Sequence, residues 1–366
     1  MTSLLPISVC ATTDRLTASI HRIERFNTDV VKLQLSVSHD VSMCYQAGQF
    51  IAIHFPDGAR CYSMARRHVP GQPLEFHIRL RSGGLFSQWL IQTLDQDWLG
   101  TQIEISGPFG NCTWHAPLNT NSPILMLANG TGIAPLLALL EDGLNKHTEN
   151  PVTLYWGGRH ASDFYYAQHF EHLSRIHKNF RYVPVLEKAD SNWSGRHGLL
   201  QDCAAADFPD LKDAIVYACG SSTLVTRARE HLVERCKLEV DQFHSDTFEP
   251  SVSVLNIHFK KTASFRLRIR PINGHEQMLM LPDGISLMAA LQSAGWMHGI
   301  CGGRKSCGNC RVGVAKEWIS RLLPADRVET RLLAVLNDPR PHDRLACQII
   351  LSPELDGLCI TDMNRS

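Results

Sequence analysis

No charge of either sign dominates this 366-residue sequence: 36 Lys and Arg stand against 36 Asp and Glu. The chain as a whole therefore offers no polycation for nucleic acid or for an anionic surface. No apolar run approaches the ~20 residues a helix needs to cross a bilayer, so no membrane partner is expected. The start, MTSLLPISVCATTDRL, lacks a basic region followed by a long apolar core, and a secretory leader is not expected either. There is no internal repeat, no low-complexity tract and no helix-turn-helix pattern, which argues against nucleic acid as a partner and against a regulator that reads DNA. These absences leave a cytoplasmic, reducing location as the expectation. Hydrophobic residues make up 44% of the chain, enough for sizeable cores.

Against that plain background the cysteines are unevenly spent. Eight of the twelve are scattered singly, as small buried hydrophobes usually are. The other four are Cys301, Cys307 and Cys310 in CGGRKSCGNC, and Cys347 in RLACQI, a spacing of C-x5-C-x2-C, thirty-six residues, then C. In a reducing compartment such clusters hold metal or do redox chemistry more often than they form disulfides. Zinc ligands come as short pairs, and the first gap is too wide for one. A [2Fe–2S] cluster suits the pattern better, since a tight loop can deliver three thiolates with the fourth arriving from elsewhere. Gly302, Gly303 and Gly308 let the backbone turn its amides toward sulfur, and Arg304 and Lys305 add positive charge.

Three textures follow one another along the chain. From about residue 20 to 115, short segments such as VVKLQLSV, QFIAIHF, LEFHIRLR and TQIEISG alternate with Gly, Pro and Asp. They predict a closed barrel or sandwich, with Leu74, Phe76, Ile78 and Leu80 on one face and Glu75, His77, Arg79 and Arg81 on the other. From Ser122 to Phe248, apolar strands alternate with helices, the signature of a parallel, doubly wound α/β sheet. From about Asn256, SVSVLNIHFK and SFRLRIRP read as strands and ISLMAALQSAG as a helix, ahead of the cysteine loop, with a short linker expected at Pro250.

The last texture resembles the adrenodoxin-type ferredoxins in its first cysteine gap, in the separation to the last cysteine and in the RLxCQ context. That resemblance covers roughly residues 256–360 and implies a β-grasp fold with Cys301, Cys307, Cys310 and Cys347 as cluster ligands. It stops at charge: from residue 257 onward, 15 Lys and Arg outnumber 10 Asp and Glu. The acidic docking face of those ferredoxins is not implied here.

In the first texture RCYSMA offers a cation, an aromatic ring and a hydroxyl along one strand, as Arg60, Tyr62 and Ser63. GGLFSQWL places Gly84 and Ser87 at a helix start suited to a pyrophosphate. LANGTGIAP is a strand-to-helix turn for a dinucleotide, though Pro135 stands where the G-x-G-x-x-G pattern has its third glycine. The next strand, TLYWGGRH, has no acidic residue to grip a ribose. With YACGSS in the same order, these motifs resemble the ferredoxin–NADP⁺ reductase superfamily over roughly residues 20–248. The resemblance implies a six-stranded antiparallel β-barrel flavin domain and a nicotinamide-binding α/β parallel-sheet domain. Arg60, Tyr62 and Ser63 would hold the flavin, and Gly84 and Ser87 its pyrophosphate. Gly130, Thr131, Gly132 and Pro135 would shape the nicotinamide dinucleotide site, with Cys219 and Gly220 beside the nicotinamide ring. FHSDTF resembles the closing segment of the FAD-binding members, where Phe248 and an acidic residue, here Asp246, cover the ring. Ser63 and Cys219 are the catalytic candidates.

Three domains are therefore expected, at 18–118, 119–249 and 255–366. Nicotinamide coenzymes give two electrons together, whereas a [2Fe–2S] cluster carries one, so a flavin must stand between them. The domain order resembles reductase components of multicomponent oxygenases, which implies NAD(P)H oxidation, FAD (FMN being the lesser expectation), one [2Fe–2S] cluster and an electron-accepting oxygenase partner. A hybrid-cluster or haem acceptor is the alternative, and a redox-sensing regulatory protein a more distant one. Arg159 sits where a 2′-phosphate would be met, but a lone cation is too little to select NADPH, so NADH is expected over NADPH.

Overall fold

The computed structural model describes residues 12–37, 43–56, 58–94, 98–117, 119–146, 149–188, 193–248, 264–270, 275–282, 284–294, 296–297, 301, 303, 305, 307–336 and 338–362. The start of the chain, the expected linker at Pro250, the expected strand SVSVLNIHFK, Gly302 and Arg304 lie outside the described residues. Two compact units are present, Met1–Glu249 and Pro250–Ser366. The expected domains 18–118 and 119–249 fall within the first unit, and 255–366 within the second.

The first half of that unit is a six-stranded antiparallel sheet built from β1 (Thr12–Arg25), β2 (Val30–Val37), β3 (Phe50–Phe55), β4 (Gly58–Ser63), β5 (Leu74–Arg79) and β6 (Gln102–Phe109), with α1 (Leu85–Leu94) beside it. Its order is β4-β3-β6-β1-β2-β5. This corrects the expectation of a closed barrel: the edge strands β4 and β5 form no ladder, and past the end of β4 a backbone bond from Ala65 N to Glu75 O at 2.8 Å bridges to β5. The result is an antiparallel half-barrel. Leu74, Phe76 and Ile78 fill its core as their alternation predicts.

The opposite face of β5 does not meet solvent. Glu75 and His77 are each only 4% exposed. They are covered by the second half of the unit: Tyr165 bonds His77 Nδ1 at 3.1 Å and stacks on Phe26 with ring centroids 5.0 Å apart. This polar face is thus an internal seam, which is why the two halves form one unit.

That second half alternates β7 (Ile124–Asn129), α2 (Ile133–Asn145), β8 (Val152–Gly158), α3 (Ala167–Ile176), β9 (Phe180–Leu186), β10 (Arg196–His197), α4 (Leu200–Asp207), β11 (Ile215–Ser221), α5 (Ser222–Cys236) and β12 (Phe243–Phe248). The sheet is parallel, in the order β10-β9-β8-β7-β11-β12. In β7, Ile124, Met126 and Ala128 pack toward α2 and α3, and Leu125 and Leu127 toward α4 and α5. Both faces are covered, so the strand reads as one apolar run. Trp156, fully buried on the α2 side, is a large share of that core, and truncating such a residue costs about 3–5 kcal/mol. The strand order reverses between β7 and β11, which opens a crevice at their carboxyl ends.

The second unit holds β13 (Ser264–Ile269), β14 (Gln277–Pro282), α6 (Leu287–Ser293), β15 (Arg311–Val314), α7 (Lys316–Ile319), α8 (Arg327–Val335), β16 (Asp343–Leu345) and β17 (Leu358–Asp362). The five strands run β14-β13-β17-β15-β16, with β13 and β17 parallel and the other pairs antiparallel. Ser286 caps α6 by accepting the Ala289 amide at 3.1 Å. Leu287, Ala290 and Leu291 of α6 pack with Leu267, Val312, Leu345 and Ile360 of the sheet in one core.

Candidate functional site

In the first unit the crevice at the ends of β7 and β11 faces the end of β4. On β4, Arg60 and Tyr62 share one face and Ser63 takes the other. Arg60 donates through Nη1 to the Ala59 carbonyl at 2.7 Å and lies over Phe55, 5.6 Å from the ring centroid. Tyr62 packs against Phe86 of α1, centroids 5.1 Å apart, and burial pushes its hydroxyl well above the ordinary range, so the ring is neutral. Ser63 is buried and donates to Asp246 Oδ2 at 3.1 Å. This one bond joins the half-barrel to β12 across 183 residues of sequence. Phe248, half-buried, lies two residues further along β12, opposite Ser221.

Gly84 and Ser87 stand at the start of α1, as expected, but the Ser87 hydroxyl turns back to accept the Arg81 amide at 2.9 Å. Ser87 therefore shapes the turn, and the free amides of the first helical turn are the groups left for an anion.

The LANGTG turn is held at several points. Gly130 has φ +53° and Gly132 sits so close to β11 that a Cβ there would lie 2.1 Å from the Cys219 carbonyl oxygen. Trp156 Nε1 donates to the Gly130 carbonyl at 3.0 Å. Asn129 accepts the Ser221 amide at 2.9 Å and donates to the Ser221 hydroxyl at 2.9 Å, bracing the two strand ends against each other. Gly220, at φ +140°, is required because a Cβ would lie 2.0 Å from Asn129 Oδ1. Thr131 completes the short turn into α2, and Pro135 is buried in the helix's first turn, where its missing N–H costs nothing.

Cys219 is fully buried and lies opposite Asp246 in the ladder. Burial and a hydrogen bond with the Cys112 thiol push it well above the usual thiol range, so it stays a neutral thiol.

Two residues of this site were missed by the motifs. Arg79 on β5 reaches the turn, its Nη2 3.5 Å from where a Gly130 Cβ would stand, and donates to Asp163 Oδ1 at 3.2 Å. Asp163 Oδ2 accepts the amides of Arg159 at 2.8 Å and His160 at 3.1 Å. Burial pushes Asp163 up, but those amides and Arg79 outweigh it and hold the carboxyl below its ordinary value. The turn after β8 thus carries a carboxylate, both of whose oxygens are engaged within the protein. Arg159 itself is exposed.

In the second unit, no three or more His, Cys, Asp or Glu side chains among the described residues are grouped to hold a metal ion. Of the four cysteines, Cys301, Cys307 and Cys310 are buried and Cys347 is half-buried. The bond to Cys301, with burial, pushes Cys307 far up. Cys347 and burial push Cys310 up, whereas the bond from Cys310 holds Cys347 below the usual thiol range against its burial, with help from Gln348. The Asn309 amide donates to Cys307 Sγ at 3.4 Å, and Gln348 Nε2 to Cys347 Sγ at 3.2 Å and to the Gly303 carbonyl at 3.2 Å. Gly303 at φ +90° and Gly308 at φ +67° provide the left-handed turns the loop needs.

A half-barrel and a parallel sheet meeting at this crevice define a flavin- and nicotinamide-binding oxidoreductase. Family models agree: an oxidoreductase FAD-binding domain matches residues 17–114 and an oxidoreductase NAD-binding domain residues 126–230. The chain is 34% identical over 229 residues to the CDP-6-deoxy-L-threo-D-glycero-4-hexulose-3-dehydrase reductase of Yersinia pestis, covering 63% of this chain and 67% of the relative. It is 30% identical to the terephthalate 1,2-dioxygenase reductase component 2 of a Comamonas species, covering 64% of this chain and 68% of the relative. The chain belongs to the ferredoxin reductase family of FAD- and NAD-binding oxidoreductases, related to oxygenase reductase components. In fold alone, an intact type IV self-sufficient cytochrome P450 monooxygenase matches 94% of this chain and 41% of its own, with a TM-score of 0.65 at 17% identity.

Proposed function

We propose that this NAD(P)H-dependent flavin reductase passes electrons through a [2Fe–2S] cluster in its second unit to an oxygenase component. The observation that carries the proposal is the C-x5-C-x2-C spacing with a fourth, distant cysteine, three of the four buried, in the same chain as a flavin–nicotinamide unit. A [2Fe–2S] group takes four thiolates, two on each iron, and the chain offers four cysteines at this spacing. The donor set is all sulfur, and the nearby N–H donors of Asn309 and Gln348 are of the kind that stabilise anionic sulfur. The strand order with α6 against the sheet supports a β-grasp reading.

When bound, FAD accepts an electron pair from the coenzyme and releases electrons singly, and the cluster carries one at a time. The chain's own residues bind and orient. Arg60 and the α1 amides meet the flavin phosphates, Tyr62 covers its ring, and Ser63, aimed by Asp246, offers a hydroxyl at the ring edge. Gly130, Thr131 and Gly132 let the dinucleotide approach the backbone, with Arg79 as the cation and Asp163 fixing it. Neutral Cys219 closes the floor beside Gly220 without adding charge. Asp163 also places a negative charge beside Arg159, which supports NADH over NADPH.

The acceptor is proposed from the relatives, one of which is a dioxygenase reductase component. A second reading, a cytochrome P450 acceptor, is favoured by the fold likeness over 94% of the chain. The test is composition: purified protein should hold about two irons and two acid-labile sulfides per chain. Cys347→Ser should lose both yet still reduce ferricyanide with NADH. Stoichiometric zinc without sulfide would overturn the cluster.

A further inference from the structure

The cysteine loop is tied to one side chain outside it. Lys305, two residues before Cys307, has φ +54°, a left-handed backbone state uncommon for a residue with a side chain. Its ammonium is paired with Asp326 Oδ2. Asp326 is the N-cap of α8, and its other oxygen, Oδ1, accepts the Glu329 amide at 2.8 Å. One carboxylate thus does two separate jobs with its two oxygens. Glu329 then continues the chain of contacts. It takes Arg344 Nε at 2.8 Å and Nη2 at 3.2 Å, and the Leu345 amide at 2.8 Å. Arg344 also donates to the Leu323 carbonyl at 2.8 Å. Leu345 is two residues from Cys347, so the first turn of α8 links the loop bearing three cysteines to the segment bearing the fourth.

The charges in this frame are matched. Glu329 is neutralised by the buried Arg344, and Lys305 and Asp326 neutralise each other. A backbone can span at most about 7 Å over two residues, so Lys305 stays close to Cys307. A group at these thiols that gains an electron gains a negative charge, and its affinity for that electron depends on any nearby charge left uncompensated.

We propose that Lys305 and Asp326 form a charge-compensated strut that fixes the cysteine loop and sets the reduction potential of the iron–sulfur group held there. The proposal rests on the reading that Cys301, Cys307, Cys310 and Cys347 hold such a group. Both residues are positioning residues, since neither is a ligand. Removing one leaves the other's charge bare beside the site, so the two removals act in opposite directions. Because the Lys305 side chain is 24% exposed and that of Asp326 53%, salt screens the effect.

The experiment is redox titration of the full chain, wild type against Lys305→Gln, Asp326→Asn and the double variant, followed by the visible absorbance of the iron–sulfur group. Asn caps a helix as well as Asp, so Asp326→Asn keeps α8 while removing the charge. At a poise where half the wild-type group is reduced, Asp326→Asn should be mostly reduced and Lys305→Gln mostly oxidised. The double variant should return toward wild type, and the differences should shrink in high salt. Shifts of the same sign, or unmoved potentials, would overturn the strut. Wild-type protein lacking iron and sulfide would overturn the site reading itself, whatever the variants do.

Discussion

The two units hold their sites by different means. In the first, every key contact joins residues remote in sequence: Ser63 with Asp246, Arg79 with Asp163, Asn129 with Ser221. The half-barrel supplies one partner of the first two pairs and the parallel sheet both partners of the third, so the whole site exists only where the two pack. In the second unit three of the four thiols lie within ten residues, and the fourth is drawn in by the first turn of one helix. A cross-layer site is intolerant of small displacements anywhere along the seam. A loop site depends on its own turns and on a few straps.

Substituting matched glycines exposes this difference most sharply. In Gly132→Ala the new methyl would sit 2.1 Å from the Cys219 carbonyl oxygen, backbone against backbone, so the turn itself must move. Such displacement should slow NADH-driven flavin reduction about 100-fold, and the overpacking should cost about 1–3 kcal/mol. Gly303→Ala meets nothing closer than 3.6 Å and suffers only from its φ of +90°, a cost of about 1–3 kcal/mol confined to the loop. Stopped-flow flavin reduction and thermal melting measure both; equal slowing of flavin reduction by the two variants would erase the distinction.

Arg79→Ala cuts one strap across the seam and leaves Asp163 with its backbone partners alone. The KM for NADH should rise about tenfold, equivalent to about 1.4 kcal/mol, with flavin content unchanged. An unaltered KM would show that Arg79 serves the seam and not the coenzyme.

Acid should strain the first unit at the same seam. Burial holds His77 below its ordinary value although Glu75 bonds it, and Glu75 stays below its own value because His77 and Gln34 outweigh burial. As pH falls through the ordinary histidine value, the unfolded chain binds a proton that folded His77 refuses, so stability falls. Glu75's contribution is present above its ordinary value and is lost as pH drops through its lowered one. Melting temperature should decline from about pH 6.5 downward, and His77→Gln should flatten the upper part of that decline. A parallel decline in the variant would assign the acid sensitivity elsewhere.

Arg159→Ala should have the smallest effect, a modest change in coenzyme preference with NADH still favoured. A hundredfold advantage in kcat/KM for NADPH, about 2.7 kcal/mol, would reveal a phosphate grip in this pocket.

What could be read in the sequence follows the same division. The cysteine loop and the glycine turns are local patterns, so they can be read from spacing alone. Alternation in LEFHIRLR divided the two faces correctly, but period two cannot say that a second layer covers Glu75 and His77 on the far one. Arg79 looked like one more polar residue on that strand. Asp163, four residues beyond Arg159, is tied to β5 by Arg79, a contact that no spacing within either segment announces. The bond between Ser63 and Asp246, spanning 183 residues, leaves no periodic trace at all.

Under the proposed function, electrons from NADH cross the flavin to the four-cysteine group within this one chain. Anaerobic addition of NADH to the purified protein, followed by electron paramagnetic resonance, tests it directly. The account predicts a signal from the reduced iron–sulfur group stoichiometric with the chain, absent from Cys347→Ser although its flavin still bleaches. Flavin bleaching in the wild type with no iron–sulfur signal would contradict it.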